Sequence, residues 1–261
     1  MTTNFGSSLR EWRRRRHLSQ LDLAVEADVS QRHLSFLETG KSKPSREMVV
    51  HLAVTLDMPL RERNRLLVAA GFAPSYPERR LDEPAMDQVR RVLEALLAAH
   101  QPFPAFVVDR RWDLVLANEV GSVLTGMVAG DPALGGNLMR LSLHPDGIRP
   151  MVTNWEAAAT VLLHRLEREV ADRPSDDVLA LLLAEVRGYP GVDRLPDRPS
   201  LPDGSELLVP VDLRTPLGDL SFFTTITTIG APFDLTLEEL RLETLLPANP
   251  ETEAALRSIV G

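Results

Sequence analysis

Residues 18–41 read LSQLDLAVEADVSQRHLSFLETGK, and the order of residue types here sets the architecture of the first third of the chain. Ser19 followed by Asp22 has the spacing of a capping box, in which the serine hydroxyl and the acid at the third helical position each bind the other's backbone N–H. A helix therefore opens at Ser19 and runs to Ala27. Asp28 belongs to the residue types that tolerate left-handed backbone, and with Val29 it makes a tight corner. Ser30 caps a further helix, which Gly40 terminates. The outline is helix, three-residue corner, helix.

Working outward, Leu9 and Trp12 share one face of a helix over residues 8–16, and arginines 13–16 gather at its C-terminal end, where the helix dipole favours cations. Downstream, one helix follows Pro44-Ser45 through Leu56, and another follows Pro59 through Ala70, stopped by Gly71. The spacing predicts a five-helix, all-α domain over residues 1–72. Residues 73–85, with Pro74, Pro77 and Pro84, read as a linker.

Residues 86–261 read as one α+β domain. An amphipathic helix over 86–100 precedes two short strands, 105–109 and 112–117, joined at Arg110-Arg111, with Trp112, Leu114 and Leu116 alternating inward. Helical stretches follow near 118–127, 154–171 and 176–187, then a loop rich in Pro, Asp and Gly over 189–205. Three more alternations close the chain: Leu207, Val209, Val211 and Leu213; Leu220, Phe222 and Ile226; Leu240, Leu242 and Leu246. One antiparallel sheet against one helical layer is the expectation.

The 261 residues are 44% apolar and 25% charged, the composition of a folded globular protein. No apolar run reaches the roughly 18 residues of a membrane span, and no signal core follows the N-terminal arginines. Zero cysteines exclude disulfides, cysteine-held zinc and thiol catalysis. A cytoplasmic protein is expected. The net charge of −8 is unevenly spread: residues 1–80 hold 14 Lys+Arg against 9 Asp+Glu, net +5, and residues 81–261 hold net −13. A basic head on an acidic body suits a head that faces phosphate. The chain's two lysines, Lys41 and Lys43, both lie just past the third helix.

Residues 18–41 closely resemble the Xre-type, phage-repressor-like helix-turn-helix family, through Ser19-Gln20 at the second helix, Ala24 at the helix crossing, Val29 in the corner, Leu34 in the core and Glu38-Thr-Gly40-Lys41 at the exit. Asp28 departs from the glycine or asparagine common there. The resemblance implies a third helix in the major groove of an operator, with Gln31, Arg32 and Ser35 toward the bases, Phe36 one turn on and equally able to complete the core, Ser30 in the same DNA-binding set at the helix cap, and Gln20, Lys41 and Lys43 toward phosphates. Gln suits adenine and Arg suits guanine, because their paired donors and acceptors match those base edges. It also implies an ion pair between Arg13 and Glu38. One short reading helix contacts few base pairs, so a homodimer is expected.

The head, the run from Pro59 to Pro74, Pro104 to Asn118 and Asn154-Trp155-Glu156 together resemble MmyB-like regulators, whose second domain is PAS-like and ligand-binding. That resemblance implies a small apolar, fatty-acid-like ligand, with no further cofactor and no metal. The candidate lining is Phe106, Trp112, Leu114, Leu116, Trp155, Leu220 and Phe222, and each of these is equally a core residue. A carboxylate ligand would want a cation at the mouth, with Arg140, His144 and Arg149 as candidates. Two other readings of the acidic body stand beside this one: a protein-interaction module that binds no metabolite, and a small-molecule enzyme. The enzyme reading finds no support in the sequence, which has no His-Glu-x-x-His, Walker, Gly-x-Ser-x-Gly or dinucleotide glycine motif.

Overall fold

A computed structural model describes residues 4–127, 134, 136–173, 176–197, 208–230 and 232–260. The chain divides into two compact units, residues 1–79 with 231–238 and residues 80–230 with 239–261.

The first unit packs α1 (Phe5–Arg15), α2 (Gln20–Glu26), α3 (Gln31–Glu38), α4 (Arg46–Thr55) and α5 (Leu60–Ala69) around Leu9, Leu23, Leu34, Leu52 and Leu66. Its helices are delimited by local chemistry. The side chains of Asn4, Ser19, Ser30 and Ser45 accept the N–H groups of Ser7, Asp22, His33 and Met48. The capping box at Ser19 and Asp22 forms as the spacing predicts. The helices end on a left-handed residue: His17, Asp28, Gly40, Asp57 and Gly71, with φ of 57°, 49°, 71°, 46° and 88°. The N–H of the following residue then returns to a carbonyl of the last helical turn: Leu18 to Arg13, Val29 to Ala24, Lys41 to Phe36, Met58 to Ala53 and Phe72 to Leu67. This is the Schellman geometry, whose apolar residue after the left-handed one packs back on the helix. Leu18, Val29, Met58 and Phe72 do so here.

The fifth helix start is different. Pro59 has no side chain to cap with, and the Leu60 N–H instead meets both carboxylate oxygens of Glu238, at 2.9 and 3.1 Å. Glu238 belongs to a segment that also gives the Asp234 carboxylate to Arg79 at 2.9 Å, the Leu235 N–H to the Pro77 carbonyl at 2.8 Å and the Thr236 hydroxyl to the Arg79 carbonyl at 2.6 Å. Nothing in the sequence pattern foretells this strap. Residues 73–79 are fastened to α5 as well: the Asn64 amide binds the N–H groups of Ser75 and Tyr76 and the Tyr76 carbonyl, and Arg61 pairs with Glu78.

The second unit is built on an antiparallel sheet of β1 (Ala105–Val108), β2 (Leu114–Ala117), β3 (Val211–Thr215), β4 (Gly218–Thr228) and β5 (Arg241–Pro247), in the order β2-β1-β5-β4-β3. Its helices are α6 (Asp87–Ala99), α7 (Glu119–Gly126), α8 (Leu138–Leu143), α9 (Trp155–Asp172), α10 (Asp177–Arg187) and α12 (Pro250–Val260), and α11 (Leu235–Glu239) continues the strap. Helices α8, α11 and α12 have no counterpart in the sequence reading. Val108, Trp112, Met139, Leu166 and Leu179 form one core cluster, and Val120, Leu213, Phe222 and Leu256 form another.

Two features differ from the expectation. Trp112 stands before β2, in the turn, at φ 66°, a strained backbone for a bulky side chain. Its N–H binds the Asp109 carbonyl at 3.1 Å, and the Asp109 carboxylate accepts the N–H groups of Arg111 and Asp113. Strand β5 is buried on both faces. Leu242, read as the inward residue, pairs with Val107, whereas Glu243 and Leu245 lie on the other face, opposite Ile226 and Thr224 of β4. Alternation singles out one face of a strand, and a sheet covered on both sides has two interiors. Leu207 and residues 198–205 of the predicted loop lie outside the described residues.

Candidate nucleic-acid interface and ligand cavity

Helix α3 turns Leu34 and Leu37 into the core and leaves Ser30, Gln31 and Arg32 exposed along its first turn, with Ser35 and Phe36 half-buried behind them. The Arg32 guanidinium lies 5.3 Å and the Lys41 ammonium 5.9 Å from the centre of the Phe36 ring, within cation–π range. The left-handed Gly40 brings Lys41 back onto the end of α3, and Lys41 and Lys43 are both exposed. Ser30 spends its hydroxyl on capping the helix. Gln20 is oriented differently from a phosphate contact: its amide donates to Glu38 at 2.8 Å.

Glu38 is the node that fixes this helix. Its side chain is fully enclosed and accepts the Arg13 Nε at 2.6 Å and Nη2 at 3.1 Å, the pair expected from the sequence. Arg13 also reaches the Leu18 carbonyl at 2.7 Å, tying α1, α3 and the corner before α2 together. Burial pushes the Glu38 carboxyl up, but the hydrogen bonds from Arg13, Gln20 and Arg10 and the Arg13 charge outweigh it and hold it below the ordinary carboxylate range. Gly6 lets α1 pass α3 closely, since a Cβ there would lie 2.6 Å from the Glu38 carbonyl oxygen.

The second unit holds a cavity of about 100 Å³ between the sheet and α7, α8 and α9. Of the residues anticipated for it, Phe106 and Trp112 line it. Leu114 and Leu116 are half-buried on the outer strand β2. Leu220 and Phe222 are in filled core, and Trp155 packs between the two clusters with the Arg149 guanidinium 3.7 Å from its ring centre. Arg140 pairs with Glu185, and the His144 ring packs against Tyr189. None of Arg140, His144 and Arg149 is on the cavity wall. The apolar lining that the sequence reading missed includes Met139, Leu141, Ile148 and Leu245, and Glu243 is its ionisable residue among the described residues.

Behind Glu243 lies a buried set of matched charges. Arg165 Nη1 is 3.4 Å from Glu243 Oε1, and Arg241 Nη1 is 2.6 Å from Glu169 Oε1. Trp112 Nε1 donates to Glu169 Oε2 at 3.1 Å, and both guanidinium groups lie within 5.5 Å of its ring centre. Burial pushes the Glu243 carboxyl above its ordinary value in spite of Arg165 and Arg241, with the Glu169 charge adding to the rise. This polar network beside the apolar cavity also anchors the strained Trp112.

Comparison with known proteins places both units. Residues 9–63 match a helix-turn-helix family model, and residues 89–259, more than half of the chain, match the ligand-binding domain of MmyB-like transcription regulators. The chain belongs to the MmyB-like transcription regulator family. Over 75 residues it is 37% identical to a Bacillus subtilis (strain 168) protein described as an uncharacterized HTH-type transcriptional regulator, RghRB, an alignment that covers 28% of this chain and 52% of that one. The chain thus spans about half the length of that relative. A solved RNA-binding light-oxygen-voltage receptor aligns at 14% identity over 97% of this chain and 63% of its own, with a TM-score of 0.28, too low to bear on the fold. The first unit carries the helix-turn-helix of a transcription regulator, and among the described residues no helix is long and apolar enough to cross a membrane.

Proposed function

We propose that this regulator works in the cytoplasm as a homodimer, reads an operator in double-stranded DNA through α3, and changes its DNA affinity when the second unit takes up a small apolar molecule. The observation that carries the DNA reading is the exposed Gln31 and Arg32 at the start of a helix whose other end is locked by Glu38. A rigid helix presents base-reading side chains at fixed spacing, and pairing two heads doubles the base pairs contacted. The sensing reading rests on a partly open, mainly apolar cavity that Glu243 also lines. A ligand alters DNA affinity only if it prefers one arrangement of the protein over another. The route we infer runs along the chain. Strands β4 and β5 line the cavity with Thr224, Glu243 and Leu245, and the chain between these strands is the strap whose Glu238 caps α5.

A second reading, that the body is an interaction module without a metabolite, is favoured by size: about 100 Å³ is below the 300 Å³ or so at which ordinary ligand pockets begin. Selection of DNA by the full chain at several salt concentrations tests the head. Arg32→Ala is expected to lower operator affinity by about 1–3 kcal/mol and relax base preference at one position; equal loss on every sequence would make Arg32 a phosphate contact. Native mass spectrometry of the purified protein separates the two readings of the body, since a bound small molecule supports sensing and a consistently empty body supports interaction.

A further inference from the structure

We infer that Phe36 is a positioning residue of the proposed DNA-reading surface: its ring holds the guanidinium of Arg32 and the ammonium of Lys41 in place before DNA arrives. This rests on the reading above that α3 enters the major groove, and it assigns Phe36 a role exerted through its two cationic neighbours.

A phenyl ring on a short helix ordinarily joins the core. Leu34 and Leu37 do so and are fully buried, but Phe36 is half-buried and stands outside both the core of the first unit and the partly buried residues packed on it. What lies against it is charge. Arg32 precedes it by four residues, so the two side chains share one face of α3, and the guanidinium is 5.3 Å from the ring centre. Lys41 follows by five residues. The left-handed Gly40, at φ 71°, turns the chain back, and the Lys41 ammonium comes to 5.9 Å from the same ring. The backbone of Phe36 fixes that turn as well, because its carbonyl accepts the N–H groups of Lys41 at 2.9 Å and Ser42 at 3.2 Å. Neither cation takes part in a salt bridge among the described residues, so the ring supplies their restraint. The negative face of an aromatic ring attracts a cation, which offsets the repulsion of gathering two positive charges at one place. A side chain that is already restrained loses less freedom when it docks on a partner. Ring and turn together therefore present one cation to a base edge and the other to a phosphate.

The test is a double-mutant cycle on DNA binding by the full chain, using an operator selected with the unmodified protein. Phe36→Leu keeps an apolar side chain and removes the ring; it is expected to lower operator affinity at least about threefold and to relax the preference at the same base pair that Arg32→Ala relaxes. In a chain already carrying Arg32→Ala and Lys41→Ala, Phe36→Leu is expected to change affinity by less than about twofold. Phe36→Tyr, which keeps the ring, is expected to retain the base preference of the unmodified protein. Unchanged affinity in Phe36→Leu overturns the inference, and so does a loss of equal size in both backgrounds, which would make Phe36 a direct DNA contact or a structural residue; both results leave the DNA reading intact. Failure to select any operator overturns the DNA reading and this inference together. Should Phe36→Leu not fold, NMR of the unmodified protein decides: Arg32 side-chain protons shifted upfield by the ring uphold the contact, and random-coil values overturn it.

Discussion

Replacing Glu38 by alanine isolates the contact that orients α3, the helix proposed to read DNA. The substitution removes an acceptor shared by Arg13 at 2.6 and 3.1 Å, Gln20 at 2.8 Å and Arg10 at 3.4 Å. Arg10 retains 39% of its side-chain exposure and can turn to water, whereas Arg13 retains 10% and keeps only the Leu18 carbonyl. The loss is therefore that of one partner of a buried pair, about 3–5 kcal/mol. In a domain of this size each kcal/mol moves the melting midpoint by about 4–8 °C, so the head's transition falls by at least roughly 12 °C. Scanning calorimetry of the full chain reads this as a separate, earlier transition. A shift below about 4 °C would refute the claim that Glu38 holds the head together. The double variant Arg13→Met, Glu38→Leu recovers most of the loss if the penalty comes from the stranded guanidinium. The sign with pH follows from the depressed carboxyl: its stabilisation is complete above the unfolded value of about 4.3 and disappears as pH falls through the lower folded value. Glu38→Gln should therefore flatten the acid limb of the head's stability profile.

Two further outcomes follow from backbone contacts in the first unit. Gly6→Ala places a methyl 2.6 and 2.7 Å from the carbonyl oxygens of Glu38 and Leu37, so α1 and α3 must separate, at about 1–3 kcal/mol by calorimetry; an unchanged midpoint would mean the helices part freely. Glu238→Ala removes the cap of α5 and should destabilise the head by about 1 kcal/mol, although Glu238 is 178 residues away in sequence. Hydrogen exchange at the Leu60 amide is the sharper readout, and unaltered protection there would dismiss the cap.

What was legible in the sequence was local. Caps, left-handed residues and the Arg13–Glu38 pair depend on spacings of a few residues or on a motif, and these appear in the structure at the expected positions. Trp112 and Phe106 were legible as large apolar groups near a hairpin. Glu243 was not, because an acid in a strand reads as solvent-facing unless the second face of the sheet is known to be covered. Helix α8, which gives Met139 and Leu141 to the cavity, is too short for periodicity to reveal. The strap was illegible for the same reason as Glu243: its meaning lies in a partner, the bare N-terminus of α5, that is distant in the chain.

The strap also changes what the charge split means. Counted by folded unit, the head holds 13 Lys+Arg against 11 Asp+Glu, because Asp234 and Glu238 join it, so its net charge is +2 and the +5 of residues 1–80 overstates its field. Several of its cations are also matched internally, Arg10 and Arg13 by Glu38, Arg15 by Glu11 and Arg79 by Asp234. Arg32, Lys41 and Lys43 take part in no salt bridge among the described residues, and all three are gathered on α3 and the turn after it. Attraction to phosphate falls off within a Debye length of about 8–10 Å in physiological salt, so a duplex at this surface responds to those three charges more than to the total. A nearly neutral unit can thus present a strongly positive edge, and the position of two lysines in the sequence was better evidence for a DNA-facing surface than the net charge of the head.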